Sequence, residues 1–271
     1  LRGIDLMMET EVEKFIWDIF KWKHANVIYV GFLAIEGVKI SKSKGSKEVK
    51  SGTYIGWNDP RLWSLQSLKD RGILPKSIRE FILAQGITKS NSTVAVDILY
   101  SLNRKNLENV PRLFFVQEPV KIHIKTCPEL NAKIPLHPSL ALGERNYKTS
   151  QDFYISKDDF ENLKKGNYRL MHLLNMHVDE HFLSHEKEFR FLSQEPDSKL
   201  NAKIIQWLSA ENENINVIIR MPDNSLVTGL GEPEIINLKP ETIIQFERFG
   251  FVKLHNLDKN QKSAEFWFSH K

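Results

Sequence analysis

The sequence predicts a multidomain protein in which the end of an α/β domain is followed by a helical block and an all-β region. Near the amino terminus, a helical pattern precedes the run NVIYVGFL at residues 26–33, which predicts a helix and then a buried strand. From about 58 to 109 the pattern is helical, and Gly72 and Gly86 have the character of helix stops. Beyond Val110, short β-type runs separated by Pro, Gly and Asn/Asp predict a barrel or a sandwich.

The individual elements are predicted from local signals. Thr10 followed by Glu13 resembles a capping box at the start of the first helix. Its apolar residues at helical spacing are Val12, Phe15, Ile16, Ile19 and Phe20. Three further helices are predicted to begin near Pro60, Pro75 and Ser92. The clearest β-type runs are VKIHIK at 120–125, DFYIS at 152–156, INVIIRM at 215–221 and IIQFERFGFVKL at 243–254.

Composition excludes several classes of protein. With 271 residues, of which 41% are hydrophobic and 27% charged, the chain has the mix of an ordinary water-exposed globular protein. No run of about 18 apolar residues occurs, so a transmembrane helix is not expected. The single cysteine, Cys127, rules out a disulfide framework and a cysteine-rich zinc site, and it suits a cytoplasmic location. Because residue 1 is Leu and no capping segment precedes the first helix, we expect the C-terminal part of a longer protein.

The most informative segment is the lysine-rich stretch from Lys39 to Lys50. It contains five lysines and one acid, Glu48, and its charge of +4 equals the formal net charge of the whole protein. Ammonium groups spaced by serines and a glycine do not pack a core, but they can close over a polyphosphate. The segment is therefore predicted to be a nucleotide-handling loop.

The spacing Lys39-Ile40-Ser41-Lys42-Ser43 resembles the KMSKS loop of class I aminoacyl-tRNA synthetases. Other blocks are similar, in the same order, to glutamyl-tRNA synthetases of the archaeal/eukaryotic type. They are LRGIDL at 1–6, GWNDPR at 56–61, Arg71-Gly72 with SIREF at 77–81, Asn103-Arg104-Lys105, KIIQW at 203–207, GLGEP at 229–233 and QFERFGF at 245–251.

This resemblance implies a modular ligase. Residues 1–56 would be the end of a Rossmann-type catalytic domain, 57–110 a helical stem-contact domain, and 111–271 the β-barrel anticodon-binding region. The family joins L-glutamate to ATP, giving glutamyl-adenylate and pyrophosphate, and then transfers the acyl group to tRNA(Glu). The implied partners are thus ATP with the Mg²⁺ that it carries, L-glutamate and tRNA(Glu).

The resemblance also assigns roles to residues of the lysine-rich segment. Lys42 would be the main contact to the ATP phosphates, and Lys39 would assist it as a second catalytic lysine. Ser41 and Ser43 would hydrogen-bond phosphate oxygens or brace the loop. Gly45 is expected to act as a mobile hinge.

Two residues of the first block are candidates for the glutamate or adenylate site. A guanidinium can grip a carboxylate through two hydrogen bonds, so Arg2 is one, and an ion pair at a helix end is its alternative. Asp5 is the other, and it is equally suited to capping the following helix.

Three arginines are candidates for contact with tRNA. Arg145 lies where related synthetases place an arginine that reads an anticodon base, as guanidinium donors do for splayed RNA bases. Arg61 and Arg79 have two readings of equal weight: contact with tRNA phosphates, or structural pairing with Asp59 and Glu80.

No metal site is predicted. The histidines of the central region are His172, His177, His181 and His185, and the last three have the spacing of one helix face. The family places strands and loops here, and a strand separates residues i and i+4 by about 13 Å, which is too far for a shared ion.

The upstream His-Ile-Gly-His motif of class I synthetases does not occur in the 271 residues, so the chain alone is expected to be inactive. It would be a fragment of a ligase, or the downstream half of a split one, whose partner is the missing N-terminal catalytic half. Two alternatives stay open: a non-catalytic tRNA-binding module, and a glutaminyl-tRNA synthetase. The compact β region and the QFERFGF segment favour the glutamyl enzyme.

Overall fold

The computed structural model describes residues 1–38, 41–180 and 187–271. These form two compact units, one made of Leu1–Lys69 and Ile73–Asn106 and the other of Asp70–Gly72 and Leu107–Lys271. The predicted division of the first 110 residues into a catalytic end and a helical domain stays a prediction. None of the helices in the described ranges combines the length and the apolar character of a bilayer-spanning segment.

The first unit is mainly helical. Its helices are α1 (Met7–Ile19), α2 (Lys42–Lys50), α3 (Leu65–Asp70), α4 (Pro75–Gln85) and α5 (Val96–Asn106), and a 3-10 helix covers Ile4–Leu6. Its strands are β1 (Arg2–Gly3), β2 (Tyr29–Val30), β3 (Leu33–Ile35) and β4 (Ser92–Val94). Two parallel pairs form, β1 with β2 and β3 with β4. A small core is built around Leu68, Ile73, Phe81 and Leu99.

The start of α1 differs from the predicted capping box. The helix begins at Met7, so Thr10 lies inside it, and its hydroxyl donates to the carbonyl of Leu6 at 3.1 Å. A threonine in the first turns of a helix commonly bonds back to the carbonyl four residues earlier, and this replaces the capping role. The predicted apolar stripe is present, yet all of it is exposed, with Phe15 66% and Phe20 60% accessible.

The run at 26–33 is two short strands instead of one buried strand. β2 and β3 are separated by Gly31 and Phe32, and both strands are only half-buried. Gly31 donates to the carbonyl of Thr88, and an added Cβ there would lie 2.9 Å from the amide nitrogen of Asn91. The chain thus passes so close to another backbone segment that the strand is interrupted.

Only one of the three predicted helix starts in the block is confirmed. α4 begins at Pro75, where the missing N–H is tolerated, and Gly86 follows its last residue with a φ of +70°. The predicted start near Pro60 is wrong, because a turn occupies that position and α3 begins at Leu65. The predicted start near Ser92 is also wrong, since this residue opens β4 and pairs with β3.

The second unit is dominated by strands. In chain order they are β5 (Arg112–Leu113), β6 (Phe115–Gln117), β7 (Pro119–Lys125), β8 (Leu130–Pro135), β9 (Glu144–Thr149), β10 (Asp152–Ser156), β11 (Gly166–Leu170), β12 (Leu174–Glu180), β13 (Lys187–Ser193), β14 (Lys203–Ile205), β15 (Leu208–Ser209), β16 (Ile215–Arg220), β17 (Leu226–Gly231), β18 (Ile243–Phe246), β19 (Gly250–Asp258) and β20 (Ser263–His270). Helix α6 (Lys157–Asn162) and two 3-10 helices, Ser198–Leu200 and Pro233–Asn237, lie between them.

The described strands of this unit form two seven-stranded sheets and a separate hairpin. The first sheet has the order β14-β11-β12-β13-β7-β10-β15 and the second β5-β18-β19-β20-β16-β17-β6, while β8 pairs with β9. In β7, Ile122 and Ile124 are buried while Lys121, His123 and Lys125 face out. This period-two pattern confirms the all-β prediction for the region.

Each sheet covers its own aromatic core. In the first, Trp207 packs edge-on against Phe114 and Phe153. In the second, Phe246 packs against Phe115 and Phe266. The predicted run at 243–254 is therefore a hairpin of β18 and β19, whose inward side chains fill the second core.

The segment Asp70–Gly72, which starts at the last residue of α3, belongs to the second unit. Arg71 is fully buried, and its Nε and Nη2 donate to the carbonyls of Phe268 and Ser269 at 3.3 and 3.0 Å. Gly72 has a φ of +87°, which confirms the predicted helix stop.

Candidate active site

The lysine-rich segment is a helix over most of its length. α2 begins at Lys42 after the N-cap Ser41, whose hydroxyl accepts the backbone N–H of Lys44 at 3.4 Å. A serine cap and four lysines, which are good helix formers, explain why the segment is not the predicted loop. Lys39 and Ile40 lie outside the described residues.

The first turn of α2 is strongly electropositive. Lys42, Ser43 and Lys44 are all exposed, and the first turn contains no acidic residue. The unpaired amides at a helix N-terminus carry a partial positive charge that adds to the two ammonium groups. This end of the helix is therefore suited to bind an anion with several negative charges.

Gly45 is a packing position in this structure, and its role as a hinge stays a prediction. It is buried inside α2, and a Cβ added to it would lie 3.4 Å from both Trp57 Cζ3 and Leu62 Cδ2. Its φ is not among the positive values of the chain, so its backbone conformation does not require glycine. The absence of a side chain lets α2 approach Trp57 closely.

A turn centred on Asp59 supports this contact. Asp59 is fully buried and accepts from Arg61 Nη2 at 2.7 Å and from Arg61 Nε at 2.8 Å. Burial alone raises the pKa of Asp59, but the hydrogen bonds from Arg61 and from the amides of Arg61 and Ile55 outweigh it, so the pKa lies below its ordinary value. The structure thus selects the structural pairing for Arg61.

The sequence predicts this turn and gives the pairing of Arg61 with Asp59 as one of two readings, but it does not predict that Asp59 is buried. The signal of the turn is the spacing Asp-Pro-Arg, because an aspartate often bonds to backbone groups two residues on. Complete burial of Asp59 is a tertiary property, and residue type alone predicts the opposite.

Arg2 and Asp5 belong to elements other than α2. Arg2 Nη2 lies 2.6 Å from both carboxylate oxygens of Glu13, and Nη1 donates to Thr10 Oγ1 at 2.9 Å. Asp5 is exposed in the 3-10 helix that precedes α1. Their contact with glutamate or its adenylate stays a prediction, and for Arg2 it would require exchange of the Glu13 carboxylate for that of the substrate.

Arg145 occupies a buried position in β9. Its Nε lies 2.6 Å from Glu232 Oε2, its Nη1 donates to the carbonyl of Pro135 at 2.7 Å, and its guanidinium lies over the Phe114 ring. Burial raises the pKa of Glu232 to about 7, against the opposing effect of Arg145. The guanidinium is thus engaged inside the protein, and its contact with an anticodon base stays a prediction without structural support.

The histidines of the central region do not form a cluster in the described part of the chain. His177 in β12 has Nδ1 at 2.7 Å from Asn167 Oδ1, and His172 lies in the turn before this strand. His181 and His185 lie outside the described residues. Within residues 1–38, 41–180 and 187–271, no group of three or more His, Cys, Asp or Glu is placed to hold a metal ion.

Comparison with known proteins gives matches along most of the chain. Residues 1–109 match the family described as tRNA synthetases class I (E and Q), catalytic domain. Residues 110–191 and 204–255 match two families described as tRNA synthetases class I (E and Q), anti-codon binding domain.

Similar proteins include archaeal glutamate–tRNA ligases. The chain is 38% identical to that of Pyrococcus abyssi over 252 residues, which are 91% of this chain and 44% of the relative. It is 37% identical to that of Pyrococcus furiosus over 260 residues, 93% of this chain and 45% of the relative. It is 35% identical to that of Methanobrevibacter smithii over 275 residues, which are 100% of this chain and 48% of the relative. The chain thus spans about half the length of the relatives it matches.

Proposed function

Because the chain belongs to the class I tRNA synthetases for glutamate and glutamine, we propose that it is part of an enzyme that attaches glutamate to tRNA(Glu) through a glutamyl-adenylate. The observation that carries this proposal is the exposed, electropositive first turn of α2 within the part that matches the catalytic domain. A protein that only binds tRNA and catalyses no reaction does not need such a site for the phosphates of ATP.

The proposed chemistry explains the residue types in α2. When the glutamate carboxylate attacks the α-phosphate of ATP, negative charge builds up on the departing pyrophosphate. The ammonium group of Lys42 and the amides of the first turn would stabilise this charge, and Lys39 would assist. Mg²⁺ carried by ATP would neutralise further phosphate charge.

The serines of the motif separate into two roles. Ser41 Oγ is engaged as the cap of α2, so it would brace the helix and not bind phosphate directly. Ser43 is exposed one residue beyond Lys42, where its hydroxyl is free to reach a phosphate oxygen. Lys42 and Ser43 are thus the proposed ATP contacts within the described residues.

The exposed apolar stripe of α1 supports a missing partner. Phe15, Ile19 and Phe20 are each more than half accessible, although this spacing is typical of a helix face that packs against a core. We propose that the rest of the catalytic domain, with the His-Ile-Gly-His motif, covers this face. It would be supplied by the same polypeptide or by a separate chain.

The second unit is the proposed tRNA-binding part. The protein is proposed to act in the cytoplasm. Matches to anticodon-binding families cover most of its length and support this role. The names of the similar archaeal proteins favour glutamate over glutamine as the amino acid.

Aminoacylation assays test the proposal. The enzyme that includes the remaining catalytic region is incubated with ATP, each of the two amino acids and each of the two tRNAs. Transfer of glutamate to tRNA(Glu) is the expected result, with the present chain alone inactive as the matched control. Charging of glutamine in its place would select the glutaminyl enzyme, and binding of tRNA without any charging would select the non-catalytic module.

A further inference from the structure

A group of side chains packs against α2 and holds the helix in place. We define it as the Asp59 platform, which consists of Tyr54, Trp57, Asp59, Arg61 and Leu62. We propose that Tyr54, Asp59 and Arg61 are positioning residues for the adenylation step, because they fix the direction of α2 and so the place of Lys42. This inference rests on the proposed contact between Lys42 and the ATP phosphates.

The first step of the argument is that Asp59 organises the turn. Besides the two bonds from the Arg61 side chain, it accepts the backbone amides of Ile55 at 3.1 Å and of Arg61 at 3.0 Å. Four donors bind one buried carboxylate, and they come from residues before and after Asp59 in the chain. The carboxylate therefore holds both sides of the turn in place. A neutral side chain of the same size would leave some of these donors without an acceptor.

Arg61 then extends this order to the segment that follows α2. Its guanidinium lies 4.3 Å from the centre of the Tyr54 ring, and its Nη2 donates to the carbonyl of Thr53 at 2.9 Å. The cation and the ring face attract each other, which holds the ring close to the guanidinium. Arg61 is therefore committed on three sides, to Asp59, Thr53 and Tyr54.

Tyr54 makes the connection to the helix itself. Its backbone N–H donates to the carbonyl of Glu48 at 3.2 Å. Partial burial, followed by the nearby Glu48 carboxylate, raises the pKa of the Tyr54 hydroxyl. The last turns of α2 are thus bound to the platform by a backbone hydrogen bond, and the side chains of Tyr54 and Glu48 lie close to each other.

A second contact fixes the first half of the helix. Gly45 rests on Trp57 and Leu62, whose backbones flank Asp59 in the turn. Two points of support one turn apart determine the direction of a rigid helix. Lys42 lies three residues before Gly45, about 4.5 Å along the axis, so any tilt at the platform moves its ammonium group.

The consequence for catalysis is a matter of distance. Displacement of a charge-stabilising group by about 1 Å is enough to slow an enzymatic step by up to about a hundredfold. Loss of one link, the Tyr54 hydroxyl, is expected to lower kcat for adenylate formation by about three- to tenfold. The KM for glutamate and the affinity for tRNA are expected to stay unchanged, because the proposed contacts of α2 are to the ATP phosphates.

The test uses Tyr54→Phe and Asp59→Asn in the full-length enzyme, with ATP–pyrophosphate exchange measured at saturating tRNA. Tyr100→Phe is the matched control, since it removes a hydroxyl from another partly buried tyrosine of the same unit, on α5. Glu48→Gln should retain activity because it keeps a polar group beside the Tyr54 hydroxyl, whereas Glu48→Leu should lose it. Hydrogen–deuterium exchange of residues 41–50 gives a readout independent of catalysis, and Tyr54→Phe should accelerate it.

The outcomes separate the two claims. If Lys42→Ala leaves pyrophosphate exchange unchanged, the proposed function of α2 is wrong. If Lys42→Ala lowers the rate but Tyr54→Phe changes neither the rate nor the hydrogen exchange of α2, the positioning role is overturned. Because Tyr54→Phe deletes only one hydroxyl, it keeps the test valid even where Asp59→Asn fails to fold.

Discussion

At the scale of single residues, Arg145 shows how burial changes the role expected of a side chain. An arginine in a β region of an RNA-binding family is expected at the surface, where it reaches the nucleic acid. Here its side chain is 2% exposed, and its partner Glu232 is completely buried. A buried charge whose partner is removed destabilises a protein strongly, so this pair is expected to matter for folding.

Arg145→Ala is predicted to lower the free energy of unfolding by about 3–5 kcal/mol at pH 8, since it leaves the Glu232 carboxylate buried without a cation. Arg145 lowers the pKa of Glu232, so its loss raises that pKa further above the ordinary value of 4.5. An acid with a raised pKa in the folded state contributes stability at low pH and loses it as the pH rises. The deficit is thus expected to be smaller at pH 5.

Urea unfolding at the two pH values measures this effect, and the double variant Arg145→Met with Glu232→Gln should recover most of the loss. If Arg145 instead contacts the RNA, its replacement should change tRNA binding and leave stability unchanged. A variant as stable as the wild type with weaker binding of tRNA(Glu) would show that Arg145 reads the RNA.

Gly45 provides a second test at this scale. Gly45→Ala is predicted to be tolerated, because its Cβ would meet Trp57 and Leu62 at 3.4 Å and alanine favours a helix by about 1 kcal/mol. Gly45→Val is predicted to destabilise by about 1–3 kcal/mol, since two further methyl groups would enter the same contact. Thermal unfolding and hydrogen exchange of α2 measure both. Equal loss of activity in the two variants, with unchanged stability, would instead favour the hinge.

At the scale of elements, the sequence predicts the ends of a helix correctly where they depend only on neighbouring residues. The proline start and glycine end of α4 depend on one or two backbone positions, and both were correct. Ser92–Val94 became a strand because it pairs with β3, which lies nearly 60 residues earlier, and no window of sequence contains that partner. The lysine-rich segment is a helix and not the predicted loop, because its charge pattern does not set its backbone conformation, whereas the helix propensity of lysine and the Ser41 cap favour a helix.

The exposed apolar stripe of α1 is predicted to matter for aminoacylation and not for the stability of the present chain. Phe15→Glu is expected to change the unfolding free energy of the present chain by less than about 0.5 kcal/mol, since the ring is 66% exposed. In the enzyme with the remaining catalytic region, the same change is expected to lower aminoacylation at least about tenfold. Lys14→Glu, on an exposed polar position of the same helix, is the control for charge. Equal activity of the Phe15 variant and the control would show that this face stays in water.

At the scale of the whole molecule, the order of separated sequence blocks predicted the family and the multidomain organisation correctly. What it did not predict are the long-range pairings of Arg71 with the carbonyls of β20 and of Arg145 with Glu232, and the complete burial of Asp59. Each of these depends on burial, which sets the strength of polar contacts and is a property of the complete fold.

The central claim is that α2 supplies phosphate contacts for adenylate formation. ATP–pyrophosphate exchange by the full-length enzyme carrying Lys42→Ala tests it most directly. The rate is predicted to fall at least about tenfold, which corresponds to roughly 1.4 kcal/mol of lost transition-state stabilisation. Lys47→Ala, which removes an exposed lysine from the last turn of the same helix, should retain the rate. An unchanged rate in the Lys42 variant would contradict the account.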